Sequence, residues 1–309
     1  MNGPTDALRA SVLIVGYNGA AFLRGCLDSL LAMDVPPAEY ELLFIDNASS
    51  DESAGIVENY EGRFPHLRIT WNRENVGFAA AMNQAAELTR APILAVLNQD
   101  TIVERGWLRA ILRPFEEDPL VSVVGSRVVY ADGSGLYAAA LEVLYGGVCV
   151  IHEGNRRTDA VSGCALAVRL EDFRRLGGLH AELFMYGEDL DLCHRVRTSG
   201  RRVVYARESV VRHCASRRSR ATTRTYVFHM LRNRTLVCVR NYRWKRLYLA
   251  LDVFVLFPLT AATELLRSRN KIRALPWILE ARVDSLRRAV RILASQRNGP
   301  GFRREARSP

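Results

Sequence analysis

The sequence predicts an α/β protein whose sheet begins parallel and doubly wound, becomes mixed, is flanked by helices, and continues into an Arg-rich helical extension. Short β-branched runs alternate with stretches of helical periodicity from the start of the chain, which is the pattern of strands joined by crossover helices. That alternation weakens after Trp107, and basic residues then concentrate in the last third.

The first strand is Ser11–Val15, followed by Phe22, Leu23, Cys26, Leu27, Leu30 and Leu31 at the spacing of one helix face. Glu41–Asp46 reads as the second strand, 51–60 as a helix, and Leu67–Trp71 as the third strand. Ser49 and Glu52 have the spacing of a capping box for that helix. The Ala-rich 78–90 predicts a helix and Ile93–Asn98 a buried strand. Beyond Trp107, 121–130 and 161–170 read as strands separated by a Gly-containing loop region around 132–160. A helix over about 188–198 stops at Ser199-Gly200, and Arg202–Ala206 follows as a strand. The last helix repeats Leu279, Val283, Leu286, Val290 and Leu293 as an apolar stripe, with Arg282, Arg287, Arg288 and Arg291 between them.

With 309 residues, 49% hydrophobic and 25% charged, the chain buries a substantial core, which excludes a fibre, a disordered tail or a disulfide-stapled miniprotein. Residues 1–200 hold 17 Lys+Arg against 27 Asp+Glu, whereas 201–309 hold 26 against 6, so the net +10 belongs to the last third. We therefore divide the chain at 216/217 into a globular domain and a basic helical region that meets phosphates of a membrane surface or of nucleic acid. The six cysteines form no C-x-x-C pair, consistent with a reducing, cytoplasmic setting, and the N-terminus lacks the apolar run of a signal peptide. The longest uncharged apolar stretch, Val253–Thr263, contains Pro258 and falls short of the ~20 residues of a spanning helix. Its flanks, Arg240 to Arg246 and Arg267 to Arg273 with Trp244 and Trp277 nearby, have the composition of an interfacial helix; a buried core helix with a basic rim reads equally well.

In doubly wound sheets ligands meet the carboxyl ends of strands, so the residues just after each apolar run carry the chemistry. Gly16-Tyr17-Asn18-Gly19 follows the first strand without a G-x-G-x-x-G or a P-loop, which removes support for dinucleotide and P-loop readings. Asp46 ends the second strand, where a carboxylate accepts from a ribose or base, or caps a turn. Asn98-Gln99-Asp100 ends the most apolar strand, a position suited to a hard divalent cation touching a diphosphate, or equally to a strand-ending turn. Glu188, Asp189 and Asp191 place three carboxylates in four residues; they favour a helix N-terminus, and their mutual repulsion also suits a general base. His213 reads as a metal or phosphate ligand or as a packed histidine, and Cys193-His194 as core.

Taken in series, Tyr17-Asn18, DNASSD (46–51), ENVGFAAAMN (74–83), LNQD (97–100), VSGCALAVR (161–169) and GGLHAELFMYGEDLDLCHRVRTSG (177–200) resemble family 2 glycosyltransferases of the GT-A fold, close to bacterial rhamnosyltransferase-like members. The resemblance covers about 10–216 and implies a GT-A-type nucleotide-binding mixed sheet. It also implies an inverting, metal-dependent transfer of a sugar, rhamnose favoured, from a dTDP- or UDP-sugar to a hydroxyl. The acceptor would be a saccharide or polyprenyl-linked, in cell-surface polysaccharide synthesis. By resemblance, Tyr17, Asn18, Asp46, Asn75, Gly77, Asn83 and Asn98 line the nucleotide-sugar site, and Asp100 and His213 hold Mg²⁺ or Mn²⁺. Asn98 stands where the fully acidic form of the motif has Asp. Ser162, Gly163 and Asp191 face the acceptor, with Asp189 as base and Glu188 as its competitor. The basic third then docks on the cytoplasmic membrane face as a peripheral element, or forms a homodimer interface. A nucleic-acid-binding protein and a non-catalytic relative are the alternatives; no nucleic-acid motif supports the former.

Overall fold

The computed structural model describes residues 8–144, 149–154, 156–214, 223–267 and 271–298, and these fall into two compact units, 1–220 and 221–309. The boundary expected at 216/217, the first seven residues of the N-terminal segment and part of the second basic flank (268–270) lie outside the described residues.

In chain order the first unit runs β1 (Ala10–Gly16), α1 (Ala20–Leu31), β2 (Tyr40–Asp46), α2 (Ser53–Glu58), β3 (Leu67–Trp71), α3 (Gly77–Leu88), β4 (Ile93–Asn98), β5 (Thr101–Val103) and α4 (Trp107–Glu117). It continues β6 (Val121–Tyr130), β7 (Leu136–Ala138), β8 (Ala140–Val143), β9 (Cys149–His152), β10 (Ala160–Val161), β11 (Ala165–Arg169), α5 (Leu170–Arg175), α6 (Glu188–Thr198) and β12 (Arg202–His213). The main sheet has the order β3-β2-β1-β4-β11-β6-β12-β5, with β7 on β6, and β10-β8-β9 form a small antiparallel sheet. β1 pairs in parallel with both β2 and β4, while β11 runs antiparallel between β4 and β6, which makes the sheet mixed as expected. The chain leaves β1 toward β2 and β3, then returns to place β4 on the other side of β1, so the switch in direction falls between the carboxyl ends of β1 and β4.

Strand periodicity decides the two core layers. Val12 and Ile14 of β1, Leu42 and Phe44 of β2, and Ala95 and Leu97 of β4 join one cluster with Leu23, Leu27 and Leu30 of α1 and Trp107 and Ile111 of α4. The intervening Leu13, Leu43, Ile45, Leu94 and Val96 join the other, against Ala79, Met82 and Ala85 of α3 and Leu192 and Val196 of α6. Both faces are covered, which is why these strands read as continuous apolar runs.

Several local expectations are corrected. The capping box does not form: Ser49 turns back onto Asp46, Glu52 starts α2 without a side-chain cap, and Asp51 instead accepts from the Ala20 and Ser53 amides, shortening the helix from 51–60 to 53–58. The strand expected over 161–170 breaks at Ser162–Cys164 into β10 and β11, and Leu170 opens α5. The loop region around 132–160 carries β7, β8 and β9. β12 extends to His213, past the expected end at Ala206, because an irregularity between Ala206 and Val210 lets it rejoin β6.

The second unit consists of α7 (Arg224–Asn241), α8 (Lys245–Leu251), a π-helical turn (Asp252–Leu256), α9 (Phe257–Arg267) and α10 (Lys271–Asn298). Val227, Leu231, Phe257, Ile278 and Ala281 form its core. Here the expected stripe on α10 is overturned. Leu279, Val283 and Val290 are exposed, while Ala274, Ile278, Ala281, Ser285, Ala289 and Ile292 are the residues that pack, because the small side chains admit α7 more closely. Pro258 does not interrupt its helix: it has no amide to donate, and Phe257 N–H already bonds Asp252 O in the π turn, so Lys245–Leu266 is continuous. By length and composition that helix is sufficient to cross a membrane, contrary to the expectation from its uncharged run alone.

Candidate active site

Two groups of residues meet at the carboxyl edge of the main sheet. The first is built on the loops after β1 and β2. The Ser49 hydroxyl donates to Asp46 Oδ1 (2.5 Å) and accepts from the Asn18 amide (2.9 Å), while the Asp46 Oδ2 accepts from Ser49 N–H (2.8 Å) and the Asn18 Oδ1 from Ser50 N–H (2.8 Å). Gln99 brackets Tyr17, accepting from its N–H at 3.0 Å and donating to its C=O at 2.9 Å, and leaves the Tyr17 ring half exposed. Asn18 and Ala48 both adopt positive φ, as do Phe184 and Tyr186 just before α6; all four are non-glycine residues. Backbone strain of this kind concentrates where surrounding contacts hold a loop in a working shape.

Asn75 accepts from Gly77 N–H (2.9 Å), which starts α3 at φ +83°, and a Cβ on Gly77 would stand 2.5 Å from the Phe184 ring. Asn83, expected beside the nucleotide, is engaged elsewhere. Its amide donates to Leu179 C=O (2.9 Å) and accepts from Leu179 N–H (2.8 Å), pinning the segment that leads to Phe184.

At the end of β4, Asn98 N–H donates to Cys164 C=O (2.9 Å) and Asp100 C=O accepts from Cys214 N–H (2.8 Å). Asp100 Oδ2 lies 3.5 Å from His213 Nε2, whose ring is buried and stacked on Tyr137 at 4.3 Å between centroids. Among the described residues no three His, Cys, Asp or Glu side chains gather as a metal cluster. The donor set fits a hard divalent cation in one way: Asp100 and His213 would supply two protein ligands, and diphosphate oxygens would supply others.

The second group faces the first across the Ser162–Cys164 turn. Gly163 N–H donates to Asp189 Oδ2 (2.9 Å), and a Cβ on Gly163 would lie 3.5 Å from Glu188 Oε1 and from Asp189 Cβ. Asp189 Oδ1 accepts from Leu190 N–H (2.8 Å) and the side chain is half buried; Glu188 is buried, and its Oε2 has no hydrogen-bond partner. Burial, then the charges of Asp189 and Asp191, push the Glu188 carboxyl well above its ordinary range. Burial also raises Asp189, opposed by the Gly163 and Leu190 amides. Ser162 shapes the turn by accepting from Cys164 N–H (3.2 Å). Asp191 is not on this face: it is fully buried and paired with Arg195 (2.8 Å) and His180 (3.7 Å), so its expected acceptor-side place is corrected to a helix-locking one.

Gln99, Ser49, Tyr137 and Phe184 are given no place in the site by the sequence. Gln99, Ser49 and Phe184 sit inside quoted motifs, whereas Tyr137 lies in a stretch that reads as loop.

A mixed sheet with strained loops at its switch point and an acidic pair across a tight turn defines the class of α/β proteins that bind a ligand at the carboxyl edge. Residues 11–175 match the family model described as Glycosyl transferase family 2, and the chain belongs to that family. Among curated relatives, the glycosyltransferase AglE of Haloferax volcanii is 30% identical over 129 residues, covering 42% of this chain and 42% of its own. The pre-mycofactocin glycosyltransferase of Mycobacterium tuberculosis is 28% identical over 213 residues, covering 66% and 42%. The chain spans less than half the length of these relatives. The fold is of the GT-A glycosyltransferase type. The crystal structure of GalNAc-T7 with UDP, GalNAc and Mn2+ superposes with a TM-score of 0.64 at 17% identity, covering 79% of this chain and 50% of that one.

Proposed function

We propose that the protein is an inverting, metal-dependent glycosyltransferase that moves a sugar from a nucleoside diphosphate to an acceptor hydroxyl. The observation that carries this reading is the Ser162–Cys164 turn: its Cys164 carbonyl holds the end of β4, where Asn98 and Asp100 lie, and its Gly163 amide holds Asp189. One short segment thereby fixes the spacing between leaving-group side and base side, which a single in-line displacement requires.

Tyr17, Asn18, Asp46 and Asn98 bind the nucleotide-sugar, with Asn75 and Gly77 shaping the wall. Asp100 and His213 would hold Mg²⁺ or Mn²⁺, which neutralises charge developing on the departing diphosphate. Asp189, held by two amide donors, is the base that takes the acceptor proton, and Glu188, buried with Oε2 unpartnered and its carboxyl pushed up by burial, is its competitor. Ser162 and Gly163 form the acceptor-side floor. On the resemblance alone the donor is a dTDP- or UDP-sugar with rhamnose favoured, the acceptor is a saccharide or polyprenyl-linked, and the enzyme works in polysaccharide synthesis at the cytoplasmic membrane face. The relatives' glycosyltransferase names and the UDP and Mn2+ of the GalNAc-T7 structure support donor class and metal.

The test is Asp189→Asn. The variant is expected to keep thermal stabilisation by UDP or dTDP with Mn²⁺ and to lose about 10²–10⁴-fold in transfer, the contribution of a general base. Undiminished transfer assigns the base elsewhere.

A further inference from the structure

The helix Lys245–Leu266 has its polarity reversed relative to a surface helix of a water-soluble protein. Its only charged residues from Leu247 onward are Asp252 and Glu264, and both are buried. Asp252 accepts from Thr235 Oγ1 (3.0 Å), from Tyr248 OH (3.3 Å) and from Arg282 Nη1 (2.8 Å), so its polar side is locked onto α7 and α10. The outward side carries Leu247, Phe254, Val255, Leu259 and Leu266, with Phe254 80% and Leu266 73% exposed. Twenty helical residues extend roughly 30 Å, so this is a long uncharged face and not a scatter of single apolar residues.

The ends of the face have the opposite character. Arg243, Trp244, Lys245 and Arg246 lead into the helix, Trp244 being 68% exposed. Residues 201–309 carry 26 Lys+Arg against 6 Asp+Glu. On α10 the exposed Leu279, Val283 and Val290 alternate with exposed Arg287 and Arg291. Apolar side chains at acyl depth with Trp and Arg at headgroup level are what an anionic bilayer surface receives.

We infer that the outward face of Lys245–Leu266 docks in the plane of an anionic phospholipid bilayer, with Arg243–Arg246 at its headgroups. The inference deepens the membrane-face part of the reading above and rests on it for cellular setting only. The helix lies along the surface and does not cross it, because its inward side is held to α7 and α10 through Asp252 and lipid meets one side alone.

The full chain is floated with vesicles of phosphatidylcholine, alone or with a third phosphatidylglycerol, at low and high salt. Co-flotation with the anionic vesicles is expected, released by high salt. Phe254→Glu combined with Leu259→Glu is expected to lower partitioning about 100-fold, the loss of two buried apolar side chains, with unfolding midpoint unchanged because both sites are exposed. No flotation of the wild type, or equal flotation of the variant, overturns the proposal. So does a wild-type dimer that the variant converts to monomer without any vesicle binding, which gives the face to a second copy. Resistance to alkaline carbonate extraction overturns the in-plane placement in favour of a span. Thermal stabilisation by UDP or dTDP with Mn²⁺ in the same samples separates the two readings. Flotation without nucleotide response upholds docking and removes glycosyl transfer, and nucleotide response without flotation removes docking alone.

Discussion

Gln99 holds Tyr17 through both ends of its amide, and a Cβ at Gly19 would collide with that same amide, so the loop after β1 closes around this side chain. Gln99→Ala is expected to weaken donor binding about tenfold, the equivalent of roughly 1–1.5 kcal/mol of net hydrogen bonding. Titration calorimetry with UDP checks it, and kcat at saturating donor should change little. At Glu188 the sign of the pH effect follows from its raised carboxyl. The folded chain keeps a proton that the unfolded chain has released, so stability falls as pH rises from the ordinary carboxylate range through the folded value. Glu188→Gln mimics the protonated form, and its Tm is expected to exceed that of the wild type at pH 8 with little difference at pH 4. Scanning calorimetry at the two pH values tests this. Sequence legibility at this scale stops at side-chain direction. Asp46, Asp100 and Asp189 are identifiable by their positions after apolar runs, and the i,i+4 spacing of Asp191 and Arg195 allows their ion pair, but nothing in the sequence shows that this pair is buried away from the site or that Asn83 clasps Leu179.

Among elements, β1, β2 and β4 were readable because each buries both faces, and α1 because Leu23, Cys26, Leu27 and Leu30 all pack as their spacing requires. β10 and β11 were fused in the sequence reading because 161–170 is apolar throughout, and the break depends on contacts remote in sequence, the Gly163 amide to Asp189 and the Asn98 amide to Cys164. The packing of β10 over β6 is equally hidden: Gly125 leaves space for Val161, whose Cβ would lie 2.2 Å from an added methyl. α3 offers the sharpest test at this scale. Gly77 combines φ +83° with the close approach of Phe184, whose carbonyl also accepts from Ala79 N–H (3.0 Å). Gly77→Ala is expected to cost about 1–2 kcal/mol in backbone strain and roughly 1–3 kcal/mol more in overpacking. A lower urea midpoint with unchanged m-value reads it. A loss below 1 kcal/mol would mean that the Phe184 segment yields to the methyl.

For the molecule as a whole, charge separates more cleanly than shape. Residues 1–200 are net acidic, yet their carboxylates are not idle surface groups: Asp172 is buried among Arg175, Arg201 and the Ser122 hydroxyl, and Asp159 is paired with Arg157 and Arg197. The second unit inverts this pattern: basic residues far outnumber acids, and two of the acids, Asp252 and Glu264, are buried. Asp252 is the group on which that unit depends, since its two oxygens collect Thr235, Tyr248 and Arg282 while Arg282 also lies over the Phe257 ring at 4.4 Å. Removing one member strands the other in a buried setting, which typically costs about 3–5 kcal/mol, whereas replacing both by apolar residues of similar volume is often neutral. Asp252→Ala is therefore expected to unfold the second unit at distinctly lower urea, and Asp252→Leu with Arg282→Met to recover most of the loss. Tryptophan position allows the two units to be followed separately, Trp71 and Trp107 reporting on the first and Trp244 and Trp277 on the second. The predicted signature is a shift in the transition seen by Trp244 and Trp277, with UDP-dependent stabilisation of the first unit retained. If the double replacement stays as unstable as Asp252→Ala, the pair contributes more than charge compensation, and the Thr235 and Tyr248 hydroxyls left without their acceptor become the dominant cost.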